Sequence, residues 1–123
     1  MDPDIDLLER LYGCFNARDI DGVLGALAKD VVWANAMDGG YVHGPEAIRN
    51  YWTRQWALVS PRIEPVGYRR TGDDAIVATV RQSIRDLDGN PLAQSHGLQD
   101  KMVDHVFRLR AGKVVHFDVQ DAG

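Results

Sequence analysis

Of the residues in this chain whose side chains carry chemistry, His105 has the least ordinary setting. It belongs to the run KMVDHVFRL, in which Val103, Phe107 and Leu109 share its parity, so a period-two strand would turn an imidazole onto an apolar face. An imidazole with an ordinary pKa of about 6.5 can act as general acid or base, and its neutral form both donates and accepts a hydrogen bond. Two groups on faces expected to point inward would complete a catalytic set with His105: the phenol of Tyr12 and the amide of Asn35. Gln82 is the one polar member of an inward face formed by Ile76, Ala78, Val80 and Ile84, and would orient a ligand carbonyl or hydroxyl. Trp33, Trp52, Trp56, Val103, Phe107 and Phe117 would supply the substrate-binding wall. Each residue also has a plainer reading. Lone histidines on apolar faces are more often satisfied core residues, buried amides often serve backbone groups, and aromatic stripes at helical spacing mostly pack.

Other chemistries lack their residues. His43 and His96 fall in or near loops without metal-ligand spacing, and the chain has no phosphate-binding glycine loop and no Ser–His–Asp signature. No metal and no cofactor is therefore expected. Cys14 is the single cysteine, which excludes an intrachain disulfide and fits a reducing cytoplasm. A net charge of −4 without a basic stripe argues against nucleic acid or an anionic membrane as partner. No apolar run approaches the roughly 18 residues of a membrane span, and the N-terminus lacks the order of a signal peptide. With 123 residues, 45% of them hydrophobic, residues 1–123 read as one domain with a core of its own.

The register of the hairpin over residues 97–120 decides what His105 meets. A two-residue loop, Ala111-Gly112, would set His105 opposite Asp118 but needs positive φ at a residue with a Cβ. A three-residue loop, Arg110-Ala111-Gly112, needs it only at Gly112. The expectation is the three-residue loop, with Leu109 facing Lys113, His105 facing Phe117, and Asp118 turned outward.

The other elements follow from periodicity. Asp2-Pro3 opens a helix with Leu8, Leu11, Tyr12 and Phe15 on one stripe. Asn16-Ala17-Arg18-Asp19 breaks it, and a second helix carries Ile20, Val23, Leu24 and Leu27. Val31 to Met37 reads as a strand and Asp38-Gly39-Gly40 as loop. Gly44-Pro45 opens a third helix with Ile48, Tyr51, Trp52 and Trp56, which Ser60-Pro61 closes. Arg62 to Thr71 is a strand at an edge or bulged, because of Pro65. Ala75 to Asp86 is a stronger strand, and Asp88-Gly89-Asn90 turns the chain into the hairpin. Helices followed by a meandering antiparallel sheet make an α+β plan.

Three stretches in this order resemble the SnoaL-like branch of the nuclear transport factor 2-like superfamily. They are Asn16 to Gly22 (NARDIDG), His43 to Ile48 (HGPEAI), and Val106-Phe107-Arg108 followed by Gly112-Lys113-Val114-Val115. The resemblance implies a cone-shaped α+β barrel, in which three N-terminal helical segments pack inside a curved antiparallel sheet around a hydrophobic pocket. It also implies a homodimer through the outer sheet face. That face would carry Val77, Thr79, Val106, Val114 and His116 among Arg81, Arg85 and Arg108. Such proteins include ketosteroid isomerase, polyketide cyclases, dehydratases, epoxide hydrolases and non-catalytic binders, so fold alone does not give function.

The isomerase's base falls on Asn35, its oxyanion tyrosine on Leu11 with Tyr12 adjacent, and its oxyanion acid on His105, so isomerase roles do not carry over. Epoxide-hydrolase carboxylates fall on His105 and Val119. The acid of the cyclases lies one residue out of register with Asp118. Dehydratases similar to scytalone dehydratase join histidine, tyrosine and an amide, which matches His105, Tyr12 and Asn35. The resemblance thus implies a pocket for a small hydrophobic or aromatic molecule, serving a cofactor-free lyase, isomerase or cyclase acting through His105. The alternative is a non-catalytic ligand-binding or structural dimer.

Overall fold

The computed structural model describes residues 3–34, 39–71, 75–88 and 101–121. Helix α1, Pro3–Asn16, buries Leu8, Leu11, Tyr12 and Phe15, the stripe read from spacing. It ends in a reversal with Arg18 in the left-handed region, φ 61°. There Asp19 N–H donates to Cys14 O at 2.8 Å and Arg18 N–H to Phe15 O at 3.1 Å. A left-handed residue with a Cβ costs about 1–2 kcal/mol. The Arg18 guanidinium offsets this by bonding Phe15 O and Ser60 Oγ and by lying over the Trp56 ring.

The Asp19 side chain caps α2, Ile20–Gly25, by accepting from Gly22 N–H at 3.0 Å. Leu27, which helical spacing assigned to α2, instead opens strand β1, Leu27–Ala34, where it pairs with Val114. A short strand β2, Tyr41–His43, follows. Its three residues are too few to show a period. Helix α3, Pro45–Trp56, begins with proline as expected. Strands β3, Ser60–Arg70, β4, Ala75–Arg85, β5, Lys101–Arg110, and β6, Lys113–Asp121, complete the order. Residues 35–37 of the expected first strand, Gly89-Asn90 of the expected turn and residues 97–100 of the hairpin lie outside the described residues.

Among the described residues the sheet has six strands in the order β2-β1-β6-β5-β4-β3. This corrects the expected cone-shaped antiparallel barrel in two ways. The sheet is mixed, because β1 runs parallel to β6. It is also open: β2 and β3 are unpaired edges, and the sheet neither closes nor curls strongly around the helices. The three-residue β2 offers little edge to close with, and α1 rather than another strand meets β3. Asn16 makes that contact with both ends of its amide. Nδ2 donates to Ile63 O at 2.7 Å, and Ile63 N–H donates to Oδ1 at 2.9 Å. Near the other end of α1, Arg70 reaches Asp4 at 3.1 Å.

The hairpin turn also differs from expectation. Ala111 and Gly112 both have positive φ, 53° and 76°, and Arg110 pairs with Lys113, which is the two-residue loop. A bulge then shifts the register between Arg108 and Leu109, so Leu109 pairs with Val114 and Arg108 with His116. The extra residue, Val115, restores the parity that a two-residue loop alone would have inverted. His105 consequently faces Val119 rather than Phe117, yet still points into the core, with Phe107 opposite Phe117. Val114, expected outside, is fully buried. Strand β3 has its own bulge between Pro65 and Gly67, at the edge position that Pro65 suggested.

Ala111 is strained where asparagine or glycine is favoured. Ala111→Asn should create the preferred Asn-Gly turn and stabilise the fold by about 1 kcal/mol. Urea unfolding would show a higher midpoint at unchanged m-value. An unchanged or lower midpoint would contradict the two-residue loop.

Candidate functional site

His105 reaches the site because β5 alternates without interruption from Val103 to Phe107, placing Val103, His105 and Phe107 all on the buried face. Tyr12 comes from the middle of the α1 stripe, directly across. Its hydroxyl lies 2.8 Å from His105 Nδ1, and the two rings stack at 5.8 Å and 19°. Around the imidazole, Phe117 and Phe107 present themselves edge-on at 4.8 and 6.2 Å. Trp33 stacks on Phe117 at 4.1 Å.

Burial at this position disfavours the imidazolium and lowers the His105 pKa to about 3, against a smaller opposing pull from Asp104. Burial likewise raises the Tyr12 pKa well above its ordinary value, with Tyr68 adding to the effect. Both groups are therefore neutral across the physiological range. Tyr12 has no second partner among the described residues, so its one proton is satisfied only by donation to Nδ1. That donation would leave the imidazole proton on Nε2 and make His105 a hydrogen-bond donor held in one tautomer.

The pair borders a cavity of about 50 Å³ whose wall includes Phe15, Trp33, Trp52, Gln82, Phe107 and Phe117. Seven of the residues singled out in the sequence are thus brought together: Tyr12, Trp33, Trp52, Gln82, His105, Phe107 and Phe117. Trp56 sits behind the wall, edge-on to Phe15 at 5.5 Å, and Val103 is buried in the core below it. Asn35 lies outside the described residues. Within the described residues, the buried indole nitrogens of Trp33, Trp52 and Trp56 and the Tyr68 hydroxyl have no hydrogen-bond partner.

Tyr68 was not legible as a site residue. It follows the β3 bulge, past which the alternation of Ile63 and Pro65 reverses, and it faces inward beside Ala78 and His105 in one row across the sheet. Among the described residues, no three His, Cys, Asp or Glu side chains converge as a metal would require. No described helix is long and apolar enough to cross a membrane.

The sequence profile of the SnoaL-like domain matches residues 8–117, nearly the whole chain. The chain belongs to the SnoaL-like domain family. Solved structures agree on the fold. An NTF2-like protein of unknown function from Burkholderia pseudomallei is 24% identical, with a TM-score of 0.81 over 98% of this chain and 92% of that one. TerC, co-crystallised with polyporic acid, is 22% identical, with a TM-score of 0.79 over 96% and 90%. An LEH-like epoxide hydrolase of M. tuberculosis is 18% identical, with a TM-score of 0.76 over 95% and 80%. No protein of curated function matches the chain. The SnoaL-like fold thus includes small-molecule enzymes and proteins without an assigned role, and here it encloses a buried His–Tyr pair.

The His105 environment makes stability depend on pH. Its folded pKa, about 3, lies below the unfolded value of about 6.5. Between these values the unfolded chain binds the extra proton, so this group's contribution is full above about pH 6.5 and is lost as pH falls toward 3. The slope from this group is at most about 1.4 kcal/mol per pH unit. In NMR titration the His105 ring should stay unprotonated from pH 8 to about 4.5 and show the Nε2–H tautomer. A midpoint at 6 or above would mean a solvated ring or one paired with an acid.

Proposed function

We propose that this SnoaL-like protein holds the carbonyl end of a small apolar or aromatic compound against His105, without a cofactor. The observation that carries this reading is the neutral, singly oriented imidazole at the wall of an apolar cavity. An N–H donor in a dry site interacts strongly with a carbonyl oxygen, since the low dielectric strengthens the bond. The unpartnered indole N–H groups of Trp33 and Trp52, both in the cavity wall, add donors without acceptors. A buried unsatisfied donor costs about 1–3 kcal/mol, so a ligand oxygen would be favoured there. Gln82 would orient the same group, and Phe107 and Phe117 would hold the ring in place. The co-crystallisation of TerC with polyporic acid supports a small-molecule ligand for this fold.

In catalysis His105 would polarise the carbonyl, and Tyr12 would position it. Cofactor-free isomerisation, cyclisation and elimination next to a carbonyl all begin with such polarisation. A base would come from elsewhere, because an imidazole with a pKa near 3 is a weak one. Asn35, the third member of the expected set, would supply an amide to the substrate and no base. The size of the cavity favours the second reading, a non-catalytic protein whose pocket is largely filled by its own side chains. About 50 Å³ is small beside the roughly 300–1,000 Å³ of most ligand sites.

A homodimer through the outer sheet face belongs to the same proposal. Tyr41 and Met102 are exposed, and Val106 is half-buried. The polar groups between them are already paired, Tyr41 and His116 with Asp118, and Arg69 and Thr79 with Asp104. Two such faces could meet without stranding a charge. Light scattering at micromolar concentration should give twice the monomer mass, and a monomer would refute the dimer.

All three tryptophans of the chain lie at or behind the cavity wall, so intrinsic fluorescence reports on it directly. Titration with small aromatic ketones should quench that fluorescence and raise the melting temperature by mass action. His105→Phe should weaken ketone binding by about tenfold while leaving a matched hydrocarbon unaffected. Equal loss for both ligands would show that His105 is only packing.

A further inference from the structure

The cavity beside His105 is smaller than the ligand sites of most proteins, and a larger space adjoins it. Between α1 and β3 runs a groove of about 350 Å³, bordered by Glu9, Gly13, Arg62, Glu64 and Tyr68. Tyr12 and Ile63 line both spaces, so these two side chains form the partition between them. The groove is kept open by construction. Asn16 clamps α1 to the Ile63 backbone at one end, and Asp4 pairs with Arg70 toward the other. Between these fastenings stands Gly13, where an added Cβ would meet nothing within 4 Å. A Tyr68 hydroxyl that is buried and without a partner among the described residues borders the groove.

We infer that the ligand site continues past Tyr12 into the α1–β3 groove, and that the Tyr68 hydroxyl is a specificity-determining donor to a second oxygen on the ligand. The inference rests on the ketone-binding reading of the cavity given above. Its ligand class is an elongated, uncharged molecule with a carbonyl at one end and a hydroxyl or carbonyl at the other. The spacing follows from the sheet. Tyr68 pairs with Ala78, and Ala78 with His105, so the two residues stem from backbone positions two strand spacings apart, about 9.5 Å, on the same face of the sheet. Neutrality follows from the rim. Glu64 is within 4.0 Å of Arg81, which leaves Glu9 and Arg62 as a balanced pair on the rim, and Glu9, the charge that acts on Tyr68, would repel an anion brought there. Burial, with Glu9 beside it, raises the Tyr68 pKa to about 12 and keeps the phenol a donor. The volumes agree with this division. The cavity admits a carbonyl and a few carbons, and the groove falls within the usual range for the remainder.

Three ketones separate this inference from the reading it rests on. Butanone reaches only the cavity; benzylacetone extends into the groove; para-hydroxybenzylacetone adds a second oxygen at the far end of the ring, on the Tyr68 side of the partition. NMR shifts at His105 and Tyr12 and tryptophan fluorescence would measure the affinities. The hydroxylated ketone should bind about fivefold or more tightly than benzylacetone. Tyr68→Phe, which removes an unpaired buried hydroxyl and so spares the fold, should abolish that preference. Gly13→Phe, filling the groove from open space, should weaken both benzylacetones by about tenfold or more. If butanone and benzylacetone bind at His105 but the hydroxyl adds nothing in wild type, or the preference survives Tyr68→Phe, the groove inference fails alone. If none of the three ketones perturbs His105, both readings fail.

Discussion

An imidazole enclosed by Phe107, Phe117 and Tyr12 has to be neutral, and most of the architecture around it follows from satisfying it in that state. Desolvating a charged ring would cost several kcal/mol, whereas a neutral ring needs only partners for its two nitrogens. One partner is the Tyr12 hydroxyl, carried by a helix 93 residues away in sequence. The bond therefore fixes α1 over β5 as well as fixing a tautomer. Helix α1 can hold that place only because other contacts set its height and direction. Asn16 joins it to β3, and the left-handed Arg18 turns the chain into α2 while reaching back to Ser60. Removing any of these would move Tyr12, and a displacement of an ångström would turn a 2.8 Å hydrogen bond into none.

Legibility of the fold in sequence follows how far each periodicity runs without a defect. Helices α1 and α3 and strand β4 are uninterrupted, and their buried faces agree with the spacing of Leu8, Leu11, Tyr12 and Phe15, of Ile48 and Tyr51, and of Ile76, Ala78 and Val80. Several of the failures sit at single inserted residues. Val115 is one such insertion, and it compensates an incorrect loop length, so that His105 was placed on the proper face through a mistaken register. The two-residue loop turned Val114 inward, opposite Leu109, before that insertion. Nothing in the local sequence distinguishes a three-residue loop from a strained two-residue loop followed by a bulge. The difference lies with Ala26, whose carbonyl accepts from Val114 N–H and so draws the strand start inward. Sheet closure was not legible either, because it depends on what meets β3, and helix α1 meets it.

The candidate site divides along the same line. His105, Tyr12, Trp33, Trp52, Gln82 and Phe107 converge on the cavity because each sits within an unbroken period, and Phe117 joins them because the Val115 bulge restores its parity. Trp56 shares the helical stripe of Trp52 but comes one turn later, where the rings beside Arg18 replace the cavity. Tyr68 lies beyond the β3 bulge, where the alternation that holds for Ile63 and Pro65 reverses. Its position could have been recovered by taking Pro65 as the point where parity reverses.

What the site can do is constrained by the protonation of three side chains, none of which titrates near neutrality. His105 is neutral above about pH 3, and the phenols of Tyr12 and Tyr68 stay protonated because burial raises both. With the Tyr12 proton donated to Nδ1, the imidazole proton would sit on Nε2. A donor already fixed in place needs no reorganisation when an acceptor arrives, and in a low-dielectric site such preorganisation is the larger part of electrostatic stabilisation. The same burial weakens His105 as a base, since proton affinity and desolvation oppose one another at a single nitrogen. Donor strength and basicity are therefore exclusive here. The fold has settled on the donor by placing the imidazole among aromatic rings, with Asp118 turned to the opposite face of the sheet to bind Tyr41 and His116.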